Sequence, residues 1–383
     1  MRRLIVLVGA MVLVDLMFFA AITPLLPTYA DRFGLTKTGA GVLAGSYAAG
    51  TLLGSLPSGW LATRIGSRKT VLVGLALMSI SSVGFAFGHT IVMLDAMRFL
   101  QGVGGACTWA GGFGWLLSLT PAEDRGKTIG VVMSAALAGL LMGPALGALA
   151  SGIGPEVPFS AIGVLGAVLA VVALRMPAPR PGFRSDRPLA TAWSEVGIRA
   201  AMGLVLVPAL VFGVVDVLAP LELDRLGASG LAIAAVFLVS AGIEAFAQVY
   251  AGRAADSRGR AWPIRIGLAG TIAFMLLIPF PDVAWLLAII VTFGCVICGA
   301  LNTPAMALLS DGIESVGLDQ GFGFALVNLT WASGQVIGTV AGGALAAATS
   351  DTVPYLLLAV ICAGTLTAVV RGRERLAVPA ASA

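Results

Sequence analysis

Two carboxylic acids lie in the middle of long apolar stretches of this chain, where a charge is unexpected. Asp15 is about eleven residues into the first apolar segment, and Glu244 is similarly central in a later one. An ionised carboxylate surrounded by hydrocarbon costs several kcal/mol unless it is paired. Burial therefore favours the protonated form, so each side chain could exchange a proton near neutral pH. This chemistry suits a site that binds either a proton or a cationic compound.

Two further charges also fall within apolar sequence. Arg98 is a few residues into its segment, and Asp95, one helical turn earlier, is a candidate partner. The sequence leaves open whether Arg98 pairs with Asp95, with Asp15 or with neither. Asp216 lies nearer the outer end of its segment and is a more peripheral candidate for proton exchange. Ionisable side chains inside a membrane generally face a partner or a transport pathway.

Uncharged polar residues recur at helical spacing and predict cavity-facing stripes. Ser240, Glu244 and Gln248 form one stripe, and Asn328, Trp331 and Gln335 form another. Residues three or four apart lie on the same face of a helix. The candidate substrate-binding residues are Asp15, Tyr47, Gln101, Glu244, Gln248, Asn302, Asn328, Trp331 and Gln335.

The elements that must position these residues are predicted to be membrane-spanning helices. The chain is 58% hydrophobic and only 11% charged, against about 25% charged in soluble domains. A span needs about 20 apolar residues, so spans and short loops use nearly all of the chain. The twelve predicted spans are 4–27, 39–60, 70–88, 91–117, 128–152, 159–175, 200–221, 230–251, 263–280, 284–309, 322–348 and 354–370.

The basic residues are sorted between alternate gaps. If the N-terminus is interior, 19 of the 23 Lys and Arg residues fall on the interior side, whereas the opposite side holds only Arg32, Lys37 and Arg225. Basic loops are retained in the cytoplasm during insertion. This partition predicts that both termini are cytoplasmic and that the protein is a multi-pass protein of the inner (plasma) membrane.

The chain repeats itself at an offset of 193 residues. Asp31 and Asp224 share an Asp-Arg-x-Gly motif at this offset, and Gly59 and Gly252 begin two similar loops at the same offset. Two six-helix halves in the same orientation are therefore predicted, with the substrate between them near the midplane. The predicted domains are an N-terminal bundle at 1–175, a cytoplasmic linker at 176–199, and a C-terminal bundle with a short tail at 200–383.

Over essentially the whole chain, the residues resemble the major facilitator superfamily. The loop after span 2 is similar to the superfamily signature G-x-L-a-D-R-x-G-R-R, but Thr63 replaces its aspartate. Thr63 can cap a helix but carries no charge, so the effect of this replacement stays open. The resemblance implies that this loop and its repeat control the conformational balance through Gly59, Thr63, Arg64, Gly66, Arg68, Asp256, Gly259 and Arg260.

Two further motifs carry the resemblance. Span 4 contains R-x-x-Q-G-x-G-a-A from Arg98, and the arginine of this motif is linked to proton coupling in the family. Span 5 resembles the signature of the exporters of this superfamily, the drug:H⁺ antiporters with twelve spans. Its glycines at G-x-x-x-G spacing would permit a close helix crossing, and its proline would bend the helix. The residues concerned are Gly139, Gly143, Pro144 and Gly147.

The predicted protein is an all-α integral membrane transporter that exports small hydrophobic, cationic or amine compounds by proton antiport and alternating access. Asp15, Glu244, Arg98 and Asp216 are its proton-coupling candidates. Its expected partners are the substrate, protons and the lipid bilayer, without nucleic acid, cofactor or metal, and the expected state is a monomer. Three alternatives are a nutrient importer, a lipid or lysolipid translocase of the same fold, and a non-transporting receptor or scaffold. No recognisable catalytic motif is present, so an enzyme is not expected.

Overall fold

The computed structural model describes residues 1–121, 124–177, 195–315 and 320–371, except for the side chains at 125–127, 256, 314 and 320–325. All regular elements in these ranges are helical. Most of the predicted linker and the end of the C-terminal tail fall outside the described residues. The predicted domain boundaries therefore stay predictions.

Fifteen α-helices and one π-helical turn make up the described part of the chain. The α-helices are α1 (Arg2–Ala20), α2 (Ile22–Phe33), α3 (Lys37–Ile65), α4 (Ser67–Ala86), α5 (Ile91–Leu119), α6 (Arg125–Ile153), α7 (Glu156–Leu174), α8 (Val196–Arg225), α9 (Gly230–Arg258), α10 (Ala261–Leu277), α11 (Ala284–Gly299), α12 (Asn302–Ser315), α13 (Gln320–Val336), α14 (Gly342–Ala348) and α15 (Thr352–Arg371). The π-helical turn, Ile337–Ala341, joins α13 to α14.

Three of the predicted spans are interrupted. The first breaks at Ala21, between α1 and α2, and the tenth breaks between α11 and α12. Pro24 and Pro304 each follow a break by a few residues, and proline cannot donate the backbone hydrogen bond of a continuous helix. The eleventh widens into the π-helical turn at Gly338, a geometry often found at functional sites. Each interruption therefore breaks the regular α-helical hydrogen bonding partway along a predicted span.

The internal repeat is present in the structure. Helices α3 and α9 both contain 29 residues, and their first residues, Lys37 and Gly230, are 193 positions apart. Thr36 caps α3 and Ser229 caps α9, each by accepting a hydrogen bond from a backbone N–H three residues later. A side-chain oxygen at this position satisfies one of the free donors of a helix start. The two halves therefore use the same local signals at matched positions.

Eight of the described helical segments are long and apolar enough to cross a membrane. A shorter apolar helix, α10, adds to them. The surface of the bundle carries exposed apolar side chains such as Val92, Phe246 and Phe280, which water would disfavour and lipid would accept. The fold is thus that of an all-α integral membrane protein, whereas the count of twelve spans and the orientation of the termini stay predictions.

The glycines of the exporter-like motif lie where α6 crosses the first span. A methyl group at Gly139 would meet the backbone of Leu13, and one at Gly143 would meet the carbonyl oxygen of Met17. Gly147 makes a similar approach to Ala21. Small residues allow this proximity because no side chain separates the two backbones. The close crossing therefore requires glycine at these positions of α6.

The two halves meet at the face opposite the N-terminus of α1. Lys37, at the start of α3, forms an ion pair with Asp351, which lies between α14 and α15. Behind this pair, Gly41 of α3 packs against the backbone of Thr339 in the π-helical turn. We call this region, comprising Lys37, Asp351, Gly41 and Thr339, the closed face. It seals one end of the space between the halves.

Candidate functional site

A cavity of about 450 Å³ lies between the two halves of the chain. Its lining extends toward the N-terminal face as far as Gly130 and Val205, and the residues of the closed face do not contribute to it. The predicted site residues that line it are Tyr47, Asp216, Glu244, Gln248, Asn302, Asn328, Trp331 and Gln335. The structure therefore brings together polar residues from five helices that are far apart in the sequence.

The two halves contribute different chemistry to the cavity wall. The first half supplies a mainly apolar wall that includes Leu16, Phe19, Met133, Leu137 and Leu140. The second half supplies both carboxylic acids and all four amides of the described lining residues. Pockets of this kind bind small molecules mainly through apolar contacts, and a few polar groups fix the orientation of the bound molecule.

Glu244 faces the cavity from α9. Its Oε1 accepts a hydrogen bond of 2.9 Å from Nε2 of Gln248, one turn along the same helix. Gly299, at the end of α11, lies directly against the carboxylate, so that even a methyl group there would overlap it. The side chain is 6% exposed, and this small opening is toward the cavity. Glu244 can therefore contact a bound compound directly.

Asp216 lines the same cavity from α8. The prediction placed it toward the outer end of its span, whereas the structure places it in the wall, in polar contact with the Gln335 side chain. It is also close enough to Glu244 for the two carboxylates to interact electrostatically. Two acids that share a cavity disfavour simultaneous ionisation. The two acids together therefore favour a bound proton or a cation in the cavity.

Asp15 lies behind the cavity wall and does not line it. Its Oδ2 accepts hydrogen bonds from the Tyr47 hydroxyl at 2.9 Å and from Nε1 of Trp109 at 3.0 Å. The residue is fully buried, and its Oδ1 has no hydrogen-bond partner among the described residues. In this conformation Asp15 is therefore separated from the cavity by the two aromatic side chains that bind it.

Arg98 is fully buried at the base of the same cluster. Its guanidinium donates to Oε1 of Gln101 at 2.9 Å and to the carbonyl oxygens of Phe18 and Phe19 at 3.2 and 3.3 Å. No carboxylate of the described residues lies within ion-pair distance of it, which resolves the question of its partner. Gln101 is likewise fully buried and, like Asp15, lies outside the cavity lining. In this conformation, therefore, neither Gln101 nor Asp15 contacts a compound in the cavity.

The two loops that resemble the superfamily signature lie between α3 and α4 and between α9 and α10. Gly66 and Gly259 occupy matched positions with φ of 88° and 79°, a region that glycine adopts without a side-chain clash. Arg68 donates to the carbonyl of Met176 at 3.0 Å, and Arg260 pairs with Asp311. Each arginine thus ties the start of one helix to the end of another within its own half.

Thr63 does not cap the following helix. Its hydroxyl donates to the carbonyl of Trp60 at 2.7 Å, within the last turn of α3. Arg64 lies over the ring of the same tryptophan, 5.1 Å from its centroid, and Gly59 has open space around it. The Asp256 side chain, in the matching loop, lies outside the described residues. Thr63 therefore stabilises only its own helix end.

Several lining residues were not predicted, above all Trp109 and Phe19. Phe19 contacts both Tyr47 and Trp331, with ring centroids 4.9 and 5.3 Å apart, and so joins the two halves. A signal for Trp109 was present in the sequence, because Arg98, Gln101 and Trp109 recur at spacings that share one face of α5. Tryptophan is also common where helices pack together, so spacing alone did not show whether Trp109 lines the cavity or packs between helices.

Comparison with known proteins agrees with this architecture. The sequence model described as Major Facilitator Superfamily matches residues 8–318. The quinolone resistance protein NorA of Staphylococcus aureus is 27% identical over 172 residues, which is 44% of each chain. That alignment thus spans less than half the length of the relative. Multidrug resistance protein 1 of Bacillus subtilis is 25% identical over 85% of each chain.

Solved structures show the same fold at low sequence identity. A bacterial homolog to the human lysosomal transporter Spinster, in an inward-facing and unoccupied conformation, superposes with a TM-score of 0.80 at 15% identity, covering 98% of each chain. A D-xylose-proton symporter superposes with a TM-score of 0.76 at 17% identity, covering 96% of each chain. With the family model matching most of its length, this chain belongs to the Major Facilitator Superfamily, whose members are membrane transporters and not enzymes.

Proposed function

We propose that this transporter exports small hydrophobic amines or cations in exchange for protons. The observation that carries the proposal is the cavity wall of the second half, where Asp216 and Glu244 face the same space. No Lys, Arg or His is among the described lining residues. A cation in this cavity would thus meet two acids and no competing basic side chain. The apolar wall opposite would take up the hydrophobic part of the same molecule.

Exchange follows from competition for the same acids. A carboxylate that binds a proton loses its attraction for a cation, and one that binds a cation excludes the proton. Protonation on the outer side would therefore release the compound, and binding of the next compound on the inner side would release the proton. We assign the direct part of this competition to Glu244, because it faces the cavity, and we include Asp216 with it.

Alternating access requires the cavity to open at one face at a time. Contacts between the halves at the closed face leave the cavity extending toward the N-terminal face. If the N-terminus is cytoplasmic, as the basic residues predict, this conformation is the inward-facing one. The relatives named for quinolone and multidrug resistance support export of drug-like compounds. We place the transporter in the plasma membrane as a monomer.

The test is proton movement across liposomes that contain the purified protein. A lipophilic cation added to one side should cross the membrane and drive protons in the opposite direction, toward the side of addition, and Glu244→Gln should reduce the rate about tenfold or more, a loss of at least 1.4 kcal/mol. The matched control is Glu222→Gln, because Glu222 lies on the neighbouring helix α8 but pairs with Arg225 outside the cavity. Transport of the cation without any proton movement would contradict the antiport proposal. Uptake in the opposite direction in energised vesicles would favour import.

A further inference from the structure

The acid in the first half differs from the one in the second half in its access to the cavity. Glu244 lines the cavity, whereas Asp15 lies behind Tyr47 and Trp109, which do line it. Each of these aromatic side chains presents its ring toward the cavity and its polar atom to Oδ2 of Asp15. A compound in the cavity can therefore contact the rings but not the carboxylate.

Both neighbours of Asp15 donate a hydrogen bond to the same oxygen, Oδ2. Such bonds are stronger to an ionised carboxylate than to the carbonyl oxygen of a neutral acid, so they favour the ionised form. The other oxygen, Oδ1, is buried and without a partner among the described residues. Gly105 of α5 lies against both oxygens, since a methyl group there would be 2.9 Å from Oδ1 and 3.0 Å from Oδ2. The niche thus has room for the carboxylate and none for a substrate group.

The charged surroundings of Asp15 are limited. Arg98, from α5, is the cation that acts on it electrostatically, and Tyr47, from α3, is the titratable group in contact with it. Helices α6 and α7 also pack against α1 but bring no titratable side chain to Asp15 among the described residues. Tyr47 and Trp109 are therefore the hydrogen-bond donors to Asp15 that a compound in the cavity can contact.

We infer that Trp109 and Tyr47 are positioning residues that transmit occupancy of the cavity to Asp15. This inference rests on the proposed proton exchange. A bound compound that packs against the rings holds both donors on Oδ2, and these charge-assisted hydrogen bonds favour the ionised carboxylate. The O–H bond of protonated Asp15 then breaks, and its proton passes to water in the cavity. When Asp15 is protonated, the donors are released and the rings no longer form the same wall.

Two consequences separate this arrangement from direct competition. Removing one donor while keeping an aromatic ring at the position should leave the affinity for a compound nearly unchanged but should uncouple binding from proton release. In addition, removing a donor from the Asp15→Asn variant should lower proton release no further, because both substitutions act on the same coupling between the cavity and Asp15.

The experiment measures protons released when tetraphenylphosphonium binds to the purified, full-length protein in weak buffer. This cation has no titratable proton, so any released proton comes from the protein. Its dissociation constant is measured on the same samples. We expect Trp109→Phe and Tyr47→Phe each to keep the dissociation constant within about threefold of wild type. Each should lower proton release to the level of Asp15→Asn, and Asp15→Asn/Trp109→Phe should lower it no further.

The matched control is Trp285→Phe, because Trp285 is an exposed tryptophan of α11 that does not line the cavity. It should release protons as wild type does. Wild-type release from both Trp109→Phe and Tyr47→Phe, combined with a loss in Asp15→Asn, would overturn the inference and leave proton exchange intact. Binding to wild type without any proton release would instead overturn the proposed exchange, and the inference with it.

Discussion

At the scale of single residues, the molecule accommodates each buried acid against a glycine of a neighbouring helix. Gly105 adjoins Asp15, and Gly299 adjoins Glu244. The space that a side chain would fill is occupied by the carboxylate. The position of each acid therefore depends on a residue that has no functional group of its own.

Gly299→Ala is expected to displace the Glu244 carboxylate from the cavity wall. Since the added methyl group would overlap the carboxyl group, proton-coupled transport in liposomes should fall about tenfold or more, a change of at least 1.4 kcal/mol in the barrier. Gly364→Ala is the control, because it has nothing within reach of a methyl group. Normal transport by Gly299→Ala would show that Glu244 does not act from its present position.

Arg98→Lys is expected to lower the stability of the protein in detergent. Lysine carries one compact ammonium group, which cannot span the two carbonyls and Gln101 as the planar guanidinium does. The loss should be about 1.5–3 kcal/mol, the range for hydrogen bonds to charged groups, measured as a lower melting temperature. Arg64→Lys, at an exposed position near Trp60, should melt as wild type does. Equal melting of both variants would contradict the role given to Arg98.

Residue types in the sequence were enough to single out the buried acids as candidates, but not to predict how they are placed. Asp15 and Glu244 were identifiable because ionisable groups are rare in apolar sequence. The hydrogen-bond partners of Arg98 could not be identified from the sequence, because they include backbone carbonyls, which every residue type has. Nor could the separation of Asp15 from the cavity be predicted, because it depends on the side chains of two other helices.

At the scale of elements, the crossing of α6 with the first span depends on bare backbone contact. Glycines at 139, 143 and 147 face α1 and the break at Ala21, and Pro144 next to them lines the cavity. The same helix therefore contributes to packing on one side and to the cavity on the other.

Gly143→Ala is expected to disturb both functions of this helix. The methyl group would press on Ala20 and on the carbonyl of Met17, and overpacking of this kind costs about 1–3 kcal/mol. Thermal unfolding in detergent and transport in liposomes would both report the change. Gly152→Ala, on the same helix but with open space around it, should affect neither. Unchanged stability in Gly143→Ala would mean that the helices can separate at little cost.

Helix positions and capping signals could largely be predicted, whereas the interruptions could not. The span predicted at 39–60 is the core of α3, which the structure extends to Lys37–Ile65. Hydropathy continues through Ala21 and through the π-helical turn, and proline does not locate a break, because Pro57 and Pro144 lie inside continuous helices. The break at Ala21 and the π-helical turn are both features of local backbone geometry, which hydropathy does not report.

At the scale of the whole molecule, the two halves are joined by an ion pair and close backbone packing at the closed face. Lys37 and Asp351 are both partly exposed, so that water and ions can weaken their attraction. Such a contact is suited to being made and broken during a transport cycle. The balance between conformations should therefore respond to its removal.

Lys37→Ala is expected to shift the protein toward the conformation that is open at the closed face. An exposed ion pair contributes about 0–1 kcal/mol, so the population ratio should change by up to about fivefold. Distances between spin labels placed on the two halves at this face would measure the shift. Arg225→Ala, which breaks an ion pair within one helix on the same face, should leave the distances unchanged. Complete conversion of Lys37→Ala to the other conformation would contradict this role, and so would distances in Lys37→Ala that are as unchanged as those in Arg225→Ala.

The division of the cavity wall between the halves has a consequence for how the protein could change over generations. Substitutions among Leu16, Met133, Leu137 and Leu140 alter the shape available to a compound without touching the acids of the second half. Under the proposed function, the range of exported molecules can therefore diversify while the acids that would couple export to protons are preserved. Selection by a new toxic compound would be expected to fix changes in the apolar wall first.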